Sequence, residues 1–121
     1  MGYRSDVKYV IAFPTAEAKI AFMAQVRMLG GTLQDAIDET DHTSHERRIY
    51  FAAESTKWYD SYADVIAHNK LLSMAEEQSP ELCDGYDFVR IGEELDDIET
   101  KSGGDQPPYD LISVHRSVEF N

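Results

Sequence analysis

Residues 84–100 read D-G-Y-D-F-V-R-I-G-E-E-L-D-D-I-E-T, and two unlike halves meet at Gly92. Before it, Tyr86, Phe88 and Arg90 alternate with Asp87, Val89 and Ile91, the two-residue period of a β-strand. After it, Glu93, Glu94, Asp96, Asp97 and Glu99 surround Leu95 and Ile98. Those two apolar residues are expected to anchor the segment to a core while the acids stay in water. No cation lies between Arg90 and Lys101. Like charges gathered this closely oppose compaction, so the stretch is expected to be a displayed surface.

Working outward, Asp6 to Phe13 predicts a first strand, with Val7, Tyr9, Ile11 and Phe13 on one face. Val10 and Ala12 make the other face apolar too, which suits a central strand. Pro14 ends it, and Thr15 can cap a helix running to about Leu29, with Ala18, Phe22, Val26 and Leu29 as its stripe. Phe22, Met23 and Met28 are expected to pack in the core. Gly30-Gly31 stops the helix. Residues 32–46 read mostly as loop, with one short helical turn at Leu33, Ala36 and Ile37. Arg48 to Glu54 predicts a second strand. Ser61 and Asp64 have the spacing of a capping box for a second helix, whose face is Tyr62, Val65, Ile66, Leu72 and Ala75, interrupted by His68 and Asn69. Ser79-Pro80 ends it. Tyr86 to Ile91 is the third strand, 101–108 a turn-rich connection, and Leu111 to Phe120 the last strand. The order predicts a single α+β domain over 1–121, in which a mixed or antiparallel sheet of about four strands carries two helices on one face.

The chain has 121 residues, 42% of them hydrophobic, enough for one cored domain. No apolar run approaches the roughly 20 residues of a membrane span, and the N-terminus lacks the apolar core of a signal peptide. Cys83 stands alone, which excludes a disulfide framework and a cysteine zinc site and fits a reducing cytoplasm. Net charge is −12, unevenly spread: residues 1–30 carry two acids and four bases, 31–80 ten and four, 81–121 eleven and three. Such a surface argues against direct nucleic-acid binding and against anionic membranes, and favours a basic protein partner. No phosphate-binding glycine loop, nucleophile elbow or H-E-x-x-H is present. His42-x-x-His45 lacks a cysteine partner, and the row of acids at 93–99 does not by itself converge on a metal. Neither an enzyme nor a bound cofactor is expected.

Two surfaces remain as candidates. The first is acidic: Asp84, Asp87, Glu93, Glu94, Asp96, Asp97, Glu99 and Asp105, with Asp35, Asp38, Glu39 and Asp41 as a second cluster whose side of the molecule is left open. Alternate residues on a strand stand about 6.6–6.8 Å apart, the same order as neighbouring phosphates along a nucleic-acid strand, so rows of carboxylates can imitate a duplex. The second is aromatic: Trp58, Tyr59 and Tyr62, near a helix start, would serve a non-enzymatic adaptor or a ligand-sequestering protein.

The opening M-G-Y-R-S-D-V, K-W-Y-D at 57–60, F-V-R-I-G-E-E-L-D-D-I-E at 88–99 and the closing V-H-R-S-V-E-F resemble a family of small, acidic, largely uncharacterised proteins of tailed bacteriophages that open Met-Gly-Tyr-Arg-Ser. The likeness spans most of the chain and transfers no catalytic residue. It implies a protein working in the cytoplasm of a bacterial host, where small acidic phage proteins often occupy host enzymes and several are DNA mimics. The implied partner is a host DNA-binding protein with a basic surface, DNA gyrase first and a nuclease second. Homodimerisation stays open.

Overall fold

The computed structural model describes residues 3–94 and 96–108. Its elements in order are β1 (Ser5–Ala12), α1 (Ala16–Leu29), α2 (Gly31–Asp38), β2 (Arg48–Thr56), α3 (Ala63–Glu77), β3 (Gly85–Gly92) and β4 (Ile98–Gly103). The strands form one antiparallel sheet in the order β2-β1-β3-β4. The protein is therefore α+β, with β1 at the centre as its two apolar faces predict.

One sheet face carries Val7, Tyr9, Ile11, Ile49, Tyr86 and Phe88, which join Phe22 and Val26 of α1, Leu33 and Ile37 of α2, and Leu71 and Leu72 of α3 in one core. Val10 and Val89, on the opposite face, are buried as well. β1 ends before Pro14, and the Thr15 hydroxyl accepts a hydrogen bond from the Ala18 amide at 3.0 Å, capping α1. Gly30 takes a φ of +64°, a backbone state that lets the chain stop α1 and start α2 at once.

Several local expectations change. Gly31–Asp38 is a full helix, so three helices, not two, lie among the described residues. The run is short and polar, and its Leu33, Ala36 and Ile37 are held by packing more than by propensity. Met28 and Leu29 are exposed, because the buried stripe of α1 is Ala18, Lys19, Phe22 and Val26. On α3 the inward residues include His68, while Tyr62 and Ile66 face water. The capping box does not form: Tyr62 is the N-cap of α3, with no side-chain cap bond. The Asp64 carboxylate accepts instead from the neighbouring Val65 amide. β4 occupies Ile98–Gly103, where only an acidic row and a linker were expected. The strand predicted at Leu111 to Phe120 lies outside the described residues.

Lys19 departs most from its usual place. It is only 6% exposed, and its ammonium donates to the carbonyls of His42 and His45, pinning the loop between α2 and β2. Burial pushes its pKa down, against the opposing pull of Asp41 and Glu46. Replacing Lys19 by Met removes both charge-assisted bonds, and urea titration should show stability lower by about 2 kcal/mol.

Candidate acidic interaction surface

β3 and β4 form a hairpin whose turn holds Glu93, Glu94, Asp96 and Asp97. Arg90 is the last residue in the row Tyr86, Phe88, Arg90 that faces the helices, at the point where the core runs out. Its guanidinium donates to both Asp97 oxygens, at 2.9 and 3.2 Å, to Glu99 Oε1 at 3.0 Å and to Ser5 Oγ at 3.0 Å. The acids are thus not uncompensated. Arg90 and Glu99 are direct cross-strand partners, and the side chain folds back over the turn to reach Asp97 as well.

Tyr3 closes the turn from the other side. Its hydroxyl donates to Asp97 Oδ2 at 2.6 Å and accepts from the Glu94 amide at 3.1 Å. Its own amide donates to the Tyr59 hydroxyl, and the Arg4 amide donates to the Glu93 carboxylate. A Cβ at Gly92 would collide with the Asp97 carboxylate and the Tyr3 hydroxyl, so a side chain there would displace the two groups that close the turn. Opposite Asp6, β2 carries one residue more than β1, and Ser55 there has a φ of +52°. That bulge is fastened to the N-terminal strand by Asp6, which accepts from the Ser55 amide, and by Arg4, which donates to its carbonyl.

The turn carries carboxylates of two kinds. Asp97 and Glu99 are structural partners of Arg90. Glu94 and Asp96 are exposed, and their side chains make no hydrogen bond or ion pair with another described residue. Hydrogen bonds from Arg90 first, and from Tyr3 second, hold the Asp97 carboxyl below the usual carboxylate range. A depressed folded-state pKa stabilises above the unfolded value and loses that stabilisation as pH falls through the folded one. Asp97→Asn should therefore be less stable than the parent at pH 7, and the gap should begin to narrow below about pH 4 and close as pH falls further. Urea midpoints measured from pH 7 to pH 2 check this.

The remaining predicted acids are dispersed. Ser5 pairs with Gly92 and Ala12 with Gly85, so Asp84 and Asp105 sit at the far end of the sheet from the turn. Seven residue steps along β1 put about 23 Å between these ends. Asp87 is 5% exposed and so is withdrawn from any surface. In the second cluster Asp38 pairs with Arg27, Glu39 bonds His68, and Asp41 accepts from the Thr43 and Ser44 amides while its backbone bridges to Tyr50. Asp35 stays exposed on α2.

The aromatic candidates meet the acidic turn. Tyr3, Trp58, Tyr59, Asp60, Arg90, Asp97 and Glu99 line one shallow depression of about 270 Å³. Tyr59 and Tyr62 stack edge to face at 5.1 Å, with Tyr62 exposed. Trp58 is half-buried against Phe51, His68 and Phe88. Sequence reasoning missed Tyr3 and Arg90 as the residues that join the two surfaces. A readable signal was the strand–turn–strand pattern around Gly92, which sets Arg90 opposite Glu99.

Among the described residues no three His, Cys, Asp or Glu side chains gather to hold a metal ion, and no helix is long and apolar enough to cross a membrane. Burial pushes the Cys83 thiol up to about 11, so it is protonated near neutral pH. Comparison with protein-family models, curated proteins and solved structures gave no match.

Proposed function

We propose that this chain is a phage-encoded DNA mimic that occupies the basic DNA-binding surface of a host enzyme. The observation that carries the proposal is the acidic turn itself, tied to Arg90 and Tyr3 while Glu94 and Asp96 are exposed to water. A positively charged channel would meet exposed carboxylates in place of phosphates, and binding would fall steeply with salt. The sequence resemblance makes DNA gyrase the first enzyme to test and nucleases the second.

The experiment is a gyrase supercoiling assay with the purified protein, repeated at rising duplex concentration and at rising salt. Inhibition relieved by both supports the proposal. Inhibition indifferent to both contradicts mimicry, and no inhibition removes gyrase and directs the same assay to host nucleases.

A second reading, a protein–protein adaptor, draws on the depression beside Tyr59 and the exposed Tyr62 ring. There the partner would survive high salt and be lost with Tyr62→Ala. Tyr62 is the better probe than Trp58, whose truncation would also disturb the core.

A further inference from the structure

The depression beside the acidic turn combines aromatic rings with carboxylates, and together they narrow what it can hold. Trp58 and Tyr59 line it along with Asp60, Arg90, Asp97 and Glu99, and its volume is about 270 Å³. Drug-sized sites run from about 300 to 1,000 Å³, so the space suits the end of one side chain rather than a whole metabolite. Arg90 takes both Asp97 oxygens and Oε1 of Glu99. Neither Oε2 of Glu99 nor the exposed Asp60 carboxylate accepts a hydrogen bond from another described residue. Three carboxylates against one guanidinium leave the lining negative.

The arrangement selects among cations. A metal ion needs several oxygens converging on one point, and among the described residues no three acidic or histidine side chains do so. A guanidinium is different. Its five N–H donors spread in a fixed plane and reach acceptors set apart, and its face stacks on an aromatic ring. An ammonium is a compact, strongly hydrated charge that gains less from rings beside it.

We propose that this depression receives an arginine side chain of the partner, with the guanidinium against the Trp58 and Tyr59 rings and its donors on Asp60 and Glu99 Oε2. The inference rests on the basic partner proposed above and deepens that reading. Glu94 and Asp96 answer to charge alone, whereas this site distinguishes arginine from lysine. The guest lies beside Arg90, and the carboxylates between them offset the repulsion of the two cations.

Titration of the full chain with the blocked tripeptide Gly-Arg-Gly, followed by heteronuclear NMR, tests the site without any enzyme. Blocked Gly-Lys-Gly and Gly-citrulline-Gly are the comparisons. One side chain binds weakly, so the series runs to about 50 mM at constant ionic strength. The expected result is saturable shifts confined to the Trp58 indole N–H and the amides of Trp58, Tyr59, Asp60 and Glu99. They should be about threefold weaker or less for lysine and absent for citrulline, which keeps the shape without the charge. Asp60→Asn should weaken the arginine response about threefold, the scale of an exposed ion pair, with thermal stability unchanged because Asp60 is exposed and bonds no described residue. Equal responses to arginine and lysine, shifts spread over every exposed acid, or no shift at all would overturn the site. Gyrase inhibition relieved by DNA while the tripeptide fails to bind would keep mimicry and strike this site. A bound tripeptide with inhibition indifferent to DNA would keep the site and strike mimicry.

Discussion

On the proposed DNA mimicry, Glu94→Lys with Asp96→Lys should abolish binding to a basic DNA-handling enzyme and leave the fold intact. Both side chains are exposed and hold nothing in the described structure together, so the double reversal moves the turn by four charge units at no packing cost. Each tenfold of affinity is about 1.4 kcal/mol, and like charges brought against a basic channel cost several kcal/mol. The expected loss is roughly 100-fold or more, with thermal stability essentially unchanged. Asp97→Lys is a poorer probe, because it would also break the bonds to Arg90 and Tyr3. Asp35→Lys, exposed on α2 away from the turn, is the control and should have little effect. Titration of the partner with each variant, alongside circular dichroism, separates these outcomes.

The second large effect is on stability and lies at His68. Its ring is 1% exposed, and its two nitrogens are used in opposite directions: Nδ1 meets the Tyr9 hydroxyl at 2.7 Å and Nε2 meets Glu39 at 2.7 Å. Phe51, Trp58 and Tyr9 surround it. In a neutral ring the simplest assignment has Tyr9 donating to Nδ1 while Nε2–H donates to Glu39. His68→Leu preserves bulk but strands the fully buried Tyr9 hydroxyl, a loss of about 2–3 kcal/mol. For a domain of this size that is a fall in Tm of roughly 10 °C. Tyr9→Phe added to His68→Leu should recover much of it, since an apolar pair leaves no orphaned polar atom. A double variant no more stable than His68→Leu alone would show that the histidine acts by packing instead.

His68 also shows where the sequence is hard to read. A polar residue in the stripe of α3 looks like an interruption until Tyr9 and Glu39, from strand and loop far along the chain, supply its partners. Lys19 is the same case, since its anchors are backbone carbonyls that no side-chain pattern reveals. By contrast β1, α1 with its Thr15 cap, and β3 follow from alternation, helical spacing and Pro14, all local signals. β4 was missed because Glu99, Thr100, Lys101 and Ser102 show no apolar alternation. The strand is held by its ladder to β3, by Arg90 on Glu99, and by Lys101, which lies over the Phe88 ring and donates to Asn69. The acidic turn was legible as a displayed surface. Its internal arrangement was not, because Arg90 and Asp97 are brought together only when the chain reverses at the hairpin, and Tyr3 arrives from 94 residues away.

The measurement that tests the central claim most directly is competition at equilibrium. Gyrase, or the nuclease that replaces it if gyrase is not inhibited, is titrated with the protein at several fixed duplex DNA concentrations, and the series is repeated from 50 to 300 mM salt, a range chosen to span physiological screening. Mimicry predicts an apparent affinity that falls in proportion to added DNA and drops steeply with salt. Simultaneous binding of DNA and protein to the enzyme, with little response to salt, would contradict it.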